Sequence, residues 1–142
     1  MEHAPRPCNL GGLHVLIVDD NADFREVLAS SFDYYGALVT RASSPRAALA
    51  LLRRTRVDVI VSDLSMPGED GLAFVKRLRA LPDEEGGAVP AIALTGFDHP
   101  NEQHALAAGF QAYLRKPPDF GAMCRVFARL GLPAEIRLAD TA

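Results

Sequence analysis

Four apolar runs in this chain of 142 residues end in polar or charged side chains that a core would not hold. His14–Val18 runs into Asp19-Asp20, Val57–Ser62 into Asp63, Ala91–Leu94 into Thr95, and Ala112–Arg115 into Lys116. Short apolar runs bounded by turn formers read as buried strands. The segments between them carry apolar residues at helical spacing. Strand alternating with helix implies a parallel sheet covered on both faces. In an open sheet of that kind the carboxyl ends of the strands share one edge, and the crevice along it is the default ligand site. Three carboxylates, one hydroxyl and one ammonium therefore converge there. Neighbouring carboxylates raise each other's pKa and do not all ionise cheaply without a cation. A hard, oxygen-seeking ion such as Mg²⁺ relieves the repulsion, and a phosphoryl group is its natural co-ligand.

The remaining pattern fills in the elements. After Asp19-Asp20-Asn21, whose side chains suit a helix N-cap, the stripe Phe24, Val27, Leu28, Ser31, Phe32 and Tyr35 predicts a first helix with Gly36 at its C-terminal cap. Leu38–Ala42 is a short strand. Ser44-Pro45 then gives an N-cap followed by proline at the first helical position. Leu64 to Gly71 is a loop of turn formers, and Phe74, Val75, Leu78 and Leu81 mark a third helix. Pro82 to Gly87 is a polar connector. Asn101 to Ala108 is a small helix, and Phe120, Met123, Cys124, Phe127 and Leu130 mark the last, a stripe read as core. The expected organisation is a flexible leader over 1–12, one domain over 13–130, and a frayed tail over 131–142.

Composition bounds the function classes. An apolar fraction of 49%, a charged fraction of 23% and a net charge of -3 describe a soluble globular chain with no basic footprint for nucleic acid. No apolar run approaches the length of a membrane span, and the leader lacks the apolar centre of a secretory signal. The expected location is the cytoplasm. Cys8 and Cys124 are the only cysteines. With Cys8 placed in a Pro-rich leader and Cys124 on a buried helix face, a structural disulfide is not expected, nor is zinc or redox chemistry. His3 lies in the leader, His14 opens a strand, and the i, i+5 spacing of His99 and His104 is poor for a metal, so none reads as a phosphohistidine or a zinc ligand.

Taken in order, Asp19-Asp20, Asp63 with Met66-Pro67 and Gly71, Thr95-Gly96, and Tyr113-Leu114-Arg115-Lys116-Pro117 resemble a response-regulator receiver domain, the CheY-like module of two-component signal transduction. The resemblance spans about residues 13 to 130 and none of the five pocket positions departs from it. It implies a flavodoxin-like, doubly wound, five-stranded parallel sheet of order 2-1-3-4-5. It also implies that Asp63 accepts a phosphoryl group from a phosphohistidine on a sensor histidine kinase or phosphotransfer protein. Asp20, Asp19 and Asp63 match the metal-binding carboxylates, and the Ser65 backbone carbonyl completes the protein ligands for Mg²⁺, or Mn²⁺ in its place. Lys116 and Thr95 would hold phosphoryl oxygens, with a cis Lys116-Pro117 bond aiming the lysine. Thr95 and Tyr113 match the switch pair that reshapes the face made by the fourth helix, fifth strand and fifth helix. That face would take a downstream protein or a second, phosphorylated copy. The resemblance further implies that the domain would promote its own phosphorylation and dephosphorylation without being a conventional enzyme. Phe97, two residues past Thr95, is expected to shield the acyl phosphate and slow its hydrolysis.

Three other readings fit parts of the pattern. A receiver detached from a hybrid histidine kinase shares every site residue, although Met1 and the leader favour a stand-alone form. A phosphorylation-independent scaffold on the same fold would not need Asp20, Asp63, Thr95 and Lys116 intact. An aspartyl-nucleophile phosphohydrolase would place its nucleophile on the first strand, usually as Asp-x-Asp, beneath a substrate cap that is not visible here.

Overall fold

A computed structural model describes residues 7–66, 68–96 and 102–136. In chain order the elements are β1 (Cys8–Asn9), β2 (His14–Val18), α1 (Ala22–Tyr34), β3 (Leu38–Ala42), α2 (Pro45–Leu52), β4 (Val59–Asp63), α3 (Gly71–Arg79), β5 (Ala91–Thr95), α4 (Glu102–Ala108), β6 (Ala112–Arg115), α5 (Phe120–Arg129) and β7 (Glu135–Ile136). The connector after α3 contains a single 3-10 turn, Asp83–Glu85. Five strands form one parallel sheet in the order β3-β2-β4-β5-β6; the alternation predicts the parallel sheet, and the receiver resemblance implies this doubly wound flavodoxin-like order.

Strand periodicity sorts the core into two layers. Val15 and Ile17 of β2, Val59 and Val61 of β4, and Ile92 and Leu94 of β5 face α1 and α5. Leu16, Val18, Ile60, Ala91 and Ala93 face the opposite way, onto α2, α3 and α4. Because both faces are covered, these strands are continuously apolar. Asp63 and Thr95 are the last residues of β4 and β5, and Asp19 follows β2, so the acidic and hydroxyl groups stand at the carboxyl ends. On the first side Phe32 stacks on Phe127 with ring centroids 6.0 Å apart, and Phe120 meets it edge-on at 5.0 Å. The α5 stripe is core, as its spacing predicts.

The caps fall where the side chains dictate. Asn21, Ser44, Asp70 and Asp119 each accept a backbone N–H from the first turn of α1, α2, α3 and α5 respectively. Gly36 follows α1 with φ +96, a conformation that glycine adopts without a Cβ penalty.

Two expectations are corrected at the chain ends. Cys8 and Cys124 form a disulfide, with Cα atoms 6.0 Å apart across 116 residues of sequence. The leader also does not stay loose up to Gly12. Cys8 and Leu10 are fully buried, Leu10 N–H donates to the Tyr35 carbonyl at 2.8 Å, and β1 pairs antiparallel with β7. This pairing lays the leader against α5 and brings Cys8 to Cys124. Strands of two residues are too short to show a period, which hid them in the sequence.

Candidate functional site

The carboxyl edge of the sheet gathers the strand-end residues. Asp19 follows β2 and is 1% exposed, Asp63 ends β4 at 5%, and Thr95 ends β5 fully buried, while Asp20 is exposed. One carboxylate oxygen from each of Asp19, Asp20 and Asp63 can be chosen so that all three lie within 4.8 Å of one another. Lys116 reaches across from the end of β6. Its Nζ lies 2.8 Å from Asp19 Oδ2 and 3.2 Å from Asp63 Oδ1. The Lys116-Pro117 peptide is cis. Lys116 N–H donates to the Thr95 carbonyl at 2.8 Å, which ties the two strand ends together.

Burial raises the pKa of Asp63, and the negative charge of Asp19 adds to the rise. The Lys116 ammonium and the Ser65 backbone N–H, which donates to Asp63 Oδ1 at 3.2 Å, pull it down but do not outweigh burial. A buried carboxylate short of compensating charge beside two more acids is suited to a divalent cation, and this cluster fits one.

The other predicted residues take definite places. Ser65 is exposed on the loop after β4. The Thr95 hydroxyl donates to the Gly96 carbonyl at 3.0 Å. Tyr113 is half-buried on β6 and lines a cavity of about 370 Å³ with Glu102, Leu106, Leu114, Val126 and Arg129. Phe97, His99 and Pro67 lie outside the described residues, and with Phe97 the expected shield over the acyl phosphate. Gly71, part of the motif, opens α3 directly behind the acceptor. A Cβ there would sit 2.5 Å from the Asp63 carbonyl oxygen.

Sequence reasoning missed a set of supporting contacts. Asn21 N–H donates to Asp19 Oδ1 and Arg25 Nη1 to the Asp19 carbonyl, both at 2.9 Å. The Phe24 ring lies beneath Lys116, its centroid 4.3 Å from Nζ. Phe24 reads as one more apolar position of the α1 stripe, and only its place in the first turn beside Asp19-Asp20 hints at more.

Comparison with known proteins decides the family. The family model described as "Response regulator receiver domain" matches residues 15–128. The chain belongs to that family. A 14.6 kDa uncharacterized protein from the sodA1 3' region of Leptolyngbya boryana is 41% identical over 111 residues, covering 78% of this chain and 83% of that protein. The sensor histidine kinase AruS of Pseudomonas aeruginosa is 32% identical over 139 residues; the match takes in 97% of this chain but only 14% of the kinase. Among solved structures, the receiver domain of the sensor histidine kinase PA1611 from the same species superposes with a TM-score of 0.73 at 31% identity, covering 84% of this chain and 97% of that one. That structure has a magnesium ion coordinated in its active-site cleft. Receiver domains are signalling domains of two-component systems, phosphorylated by histidine kinases or phosphotransfer proteins. Relatives of this chain include receivers within sensor kinases. Among the described residues no helix is long and apolar enough to cross a membrane.

Proposed function

We propose that this receiver is phosphorylated on Asp63 and that the acyl phosphate controls a protein–protein interaction. The observation that carries this reading is the placement of Lys116 between Asp19 and Asp63 at the mouth of the sheet edge. An Asp63 oxygen attacks phosphorus, the P–N bond of the donor phosphohistidine breaks, and the imidazole nitrogen leaves with the bonding pair. Lys116 offers its compact charge to one phosphoryl oxygen, and Thr95 gives its hydroxyl to another after leaving Gly96. Asp19, Asp20, Asp63 and the Ser65 carbonyl would hold Mg²⁺, or Mn²⁺ in its place, which supplies charge neutralisation to the phosphoryl oxygens. Hydrolysis by water at the same phosphorus resets the domain.

Movement of Thr95 would be felt at Tyr113, whose strand pairs with β5, so output runs through the face of α4, β6 and α5. A protein target or a second copy binds there. The signalling unit is residues 13–130, with β1 and β7 paired as a separate two-stranded ribbon. Because the phosphoryl donors are kinases acting on the cell interior, the cytoplasm is the proposed location, and the net charge of -3 argues against direct nucleic-acid binding. Incubation with acetyl phosphate and Mg²⁺ should add one phosphoryl group by intact mass, and Asp63→Asn should abolish it. Equal labelling of the variant would remove Asp63 from the role.

A further inference from the structure

Lys116 has two kinds of neighbour. Asp19 Oδ2 and Asp63 Oδ1 take its N–H donors at 2.8 and 3.2 Å, while the Phe24 ring lies beneath its charge at 4.3 Å to the centroid. The ring is not there by accident of a loose side chain. Asn21 Oδ1 accepts the Phe24 backbone N–H at 2.9 Å, and Asn21 N–H donates to Asp19 Oδ1 at 2.9 Å. Asp19 in turn accepts from Lys116. The contacts therefore close a circuit from Asp19 through Asn21 and Phe24 to Lys116 and back. The ring also packs against the α1–α5 core, which fixes it from behind.

We propose that Phe24 is a positioning residue for phosphoryl transfer, holding the Lys116 ammonium at the acceptor by cation–π attraction. The inference rests on the reading of Asp63 as the acceptor. A lysine side chain is a point charge on a flexible four-carbon stem, and it must be restrained to act at one oxygen. Asp19 restrains it only while its carboxylate is not shared with a divalent ion. An aromatic face attracts the ammonium without taking an N–H donor. It therefore leaves those donors to the phosphoryl group, and its attraction persists when Asp19 is otherwise engaged.

Phe24→Leu keeps apolar bulk and removes the quadrupole. It should slow phosphorylation of Asp63 by acetyl phosphate about three- to tenfold, and Phe24→Tyr should restore the rate. A ring-fluorinated phenylalanine at position 24, nearly isosteric but with a depleted face, should slow it without moving the melting temperature. In a Lys116→Ala background the Phe24→Leu change should have no further effect, since coupled residues lose their interaction once. Independently of activity, the Lys116 side-chain protons of the metal-free wild type should show an upfield ring-current shift by NMR that Phe24→Leu abolishes. A wild-type rate in Phe24→Leu, or equal slowing with and without Lys116, would overturn the proposal. A wild-type protein that takes no phosphoryl group overturns the reading of the site, and the proposal with it. An intact ring-current shift would then show that the contact exists without that role.

Discussion

Asp63 is costly to the fold in which it sits. Burial is the leading cause of its raised pKa, and Lys116 repays only part of it. A carboxyl whose folded pKa lies above its usual 3.8 stabilises the fold in its protonated form. That stability is present below about pH 4 and is lost as pH rises through the folded value. Once ionised, and without a divalent ion, Asp63 is therefore a net burden. Asp63→Asn should raise the melting temperature in chelator by a few degrees, and the gain should vanish near pH 4. A variant no more stable than wild type at neutral pH would show that Lys116 fully compensates the buried charge. At this scale the chemistry was legible and its support was not. Asp19, Asp63, Thr95 and Lys116 stand out because a polar residue interrupts an apolar run. Phe24 and Leu28 belong to the same stripe, and only the fold shows that Phe24 meets the ammonium as well as the core.

Elements place the site as much as residues do. The N-terminus of α3 comes so close to the end of β4 that only the absence of a side chain permits it. A Cβ on Gly71 would lie 2.5 Å from the Asp63 carbonyl oxygen and 2.9 Å from Leu64 Cα. Both are backbone or near-backbone atoms that cannot swing away. Gly71 N–H also donates to the Leu64 carbonyl at 2.9 Å, so the turn is pinned. Gly71→Ala must push α3 off the sheet or displace Asp63. By the scale of other overpacking changes it should cost about 1–3 kcal/mol in urea unfolding, and it should slow Asp63 phosphorylation. Stability and rate both equal to wild type would mean that the loop yields freely. Capping residues and apolar stripes made the helices readable in advance. The loop after Asp63 was readable as a turn, but its contact with the strand behind it depends on tertiary approach that no local pattern encodes.

At the scale of the molecule, the parallel sheet was legible and the closure of the chain ends was not. A βαβ succession implies a parallel sheet and prunes its strand orders through connection rules, while the particular order comes from the receiver resemblance. Nothing in the alternation says where Cys8 and Asn9, ahead of the parallel sheet, must go. Here they pair with the residues after α5, and Cys8–Cys124 fastens the two ends. Joining positions 116 residues apart restricts almost the whole unfolded chain. In the chain-entropy account a loop of that size contributes about 5 kcal/mol, with about 2–4 kcal/mol typical of measured bridges. Both cysteines belong to the buried α1–α5 core, with Cys8 0% and Cys124 1% exposed. A thiol reductant therefore has to await local opening before it can attack. The urea midpoint of the oxidised protein should fall markedly once it is unfolded, reduced and refolded under reductant. Cys8→Ser should show the lower midpoint with or without reductant. Mass spectrometry after alkylation in denaturant should find no labelled cysteine in the oxidised wild type and two after reduction. Identical midpoints in both redox states would show that β1 and β7 hold the ends together without the bond.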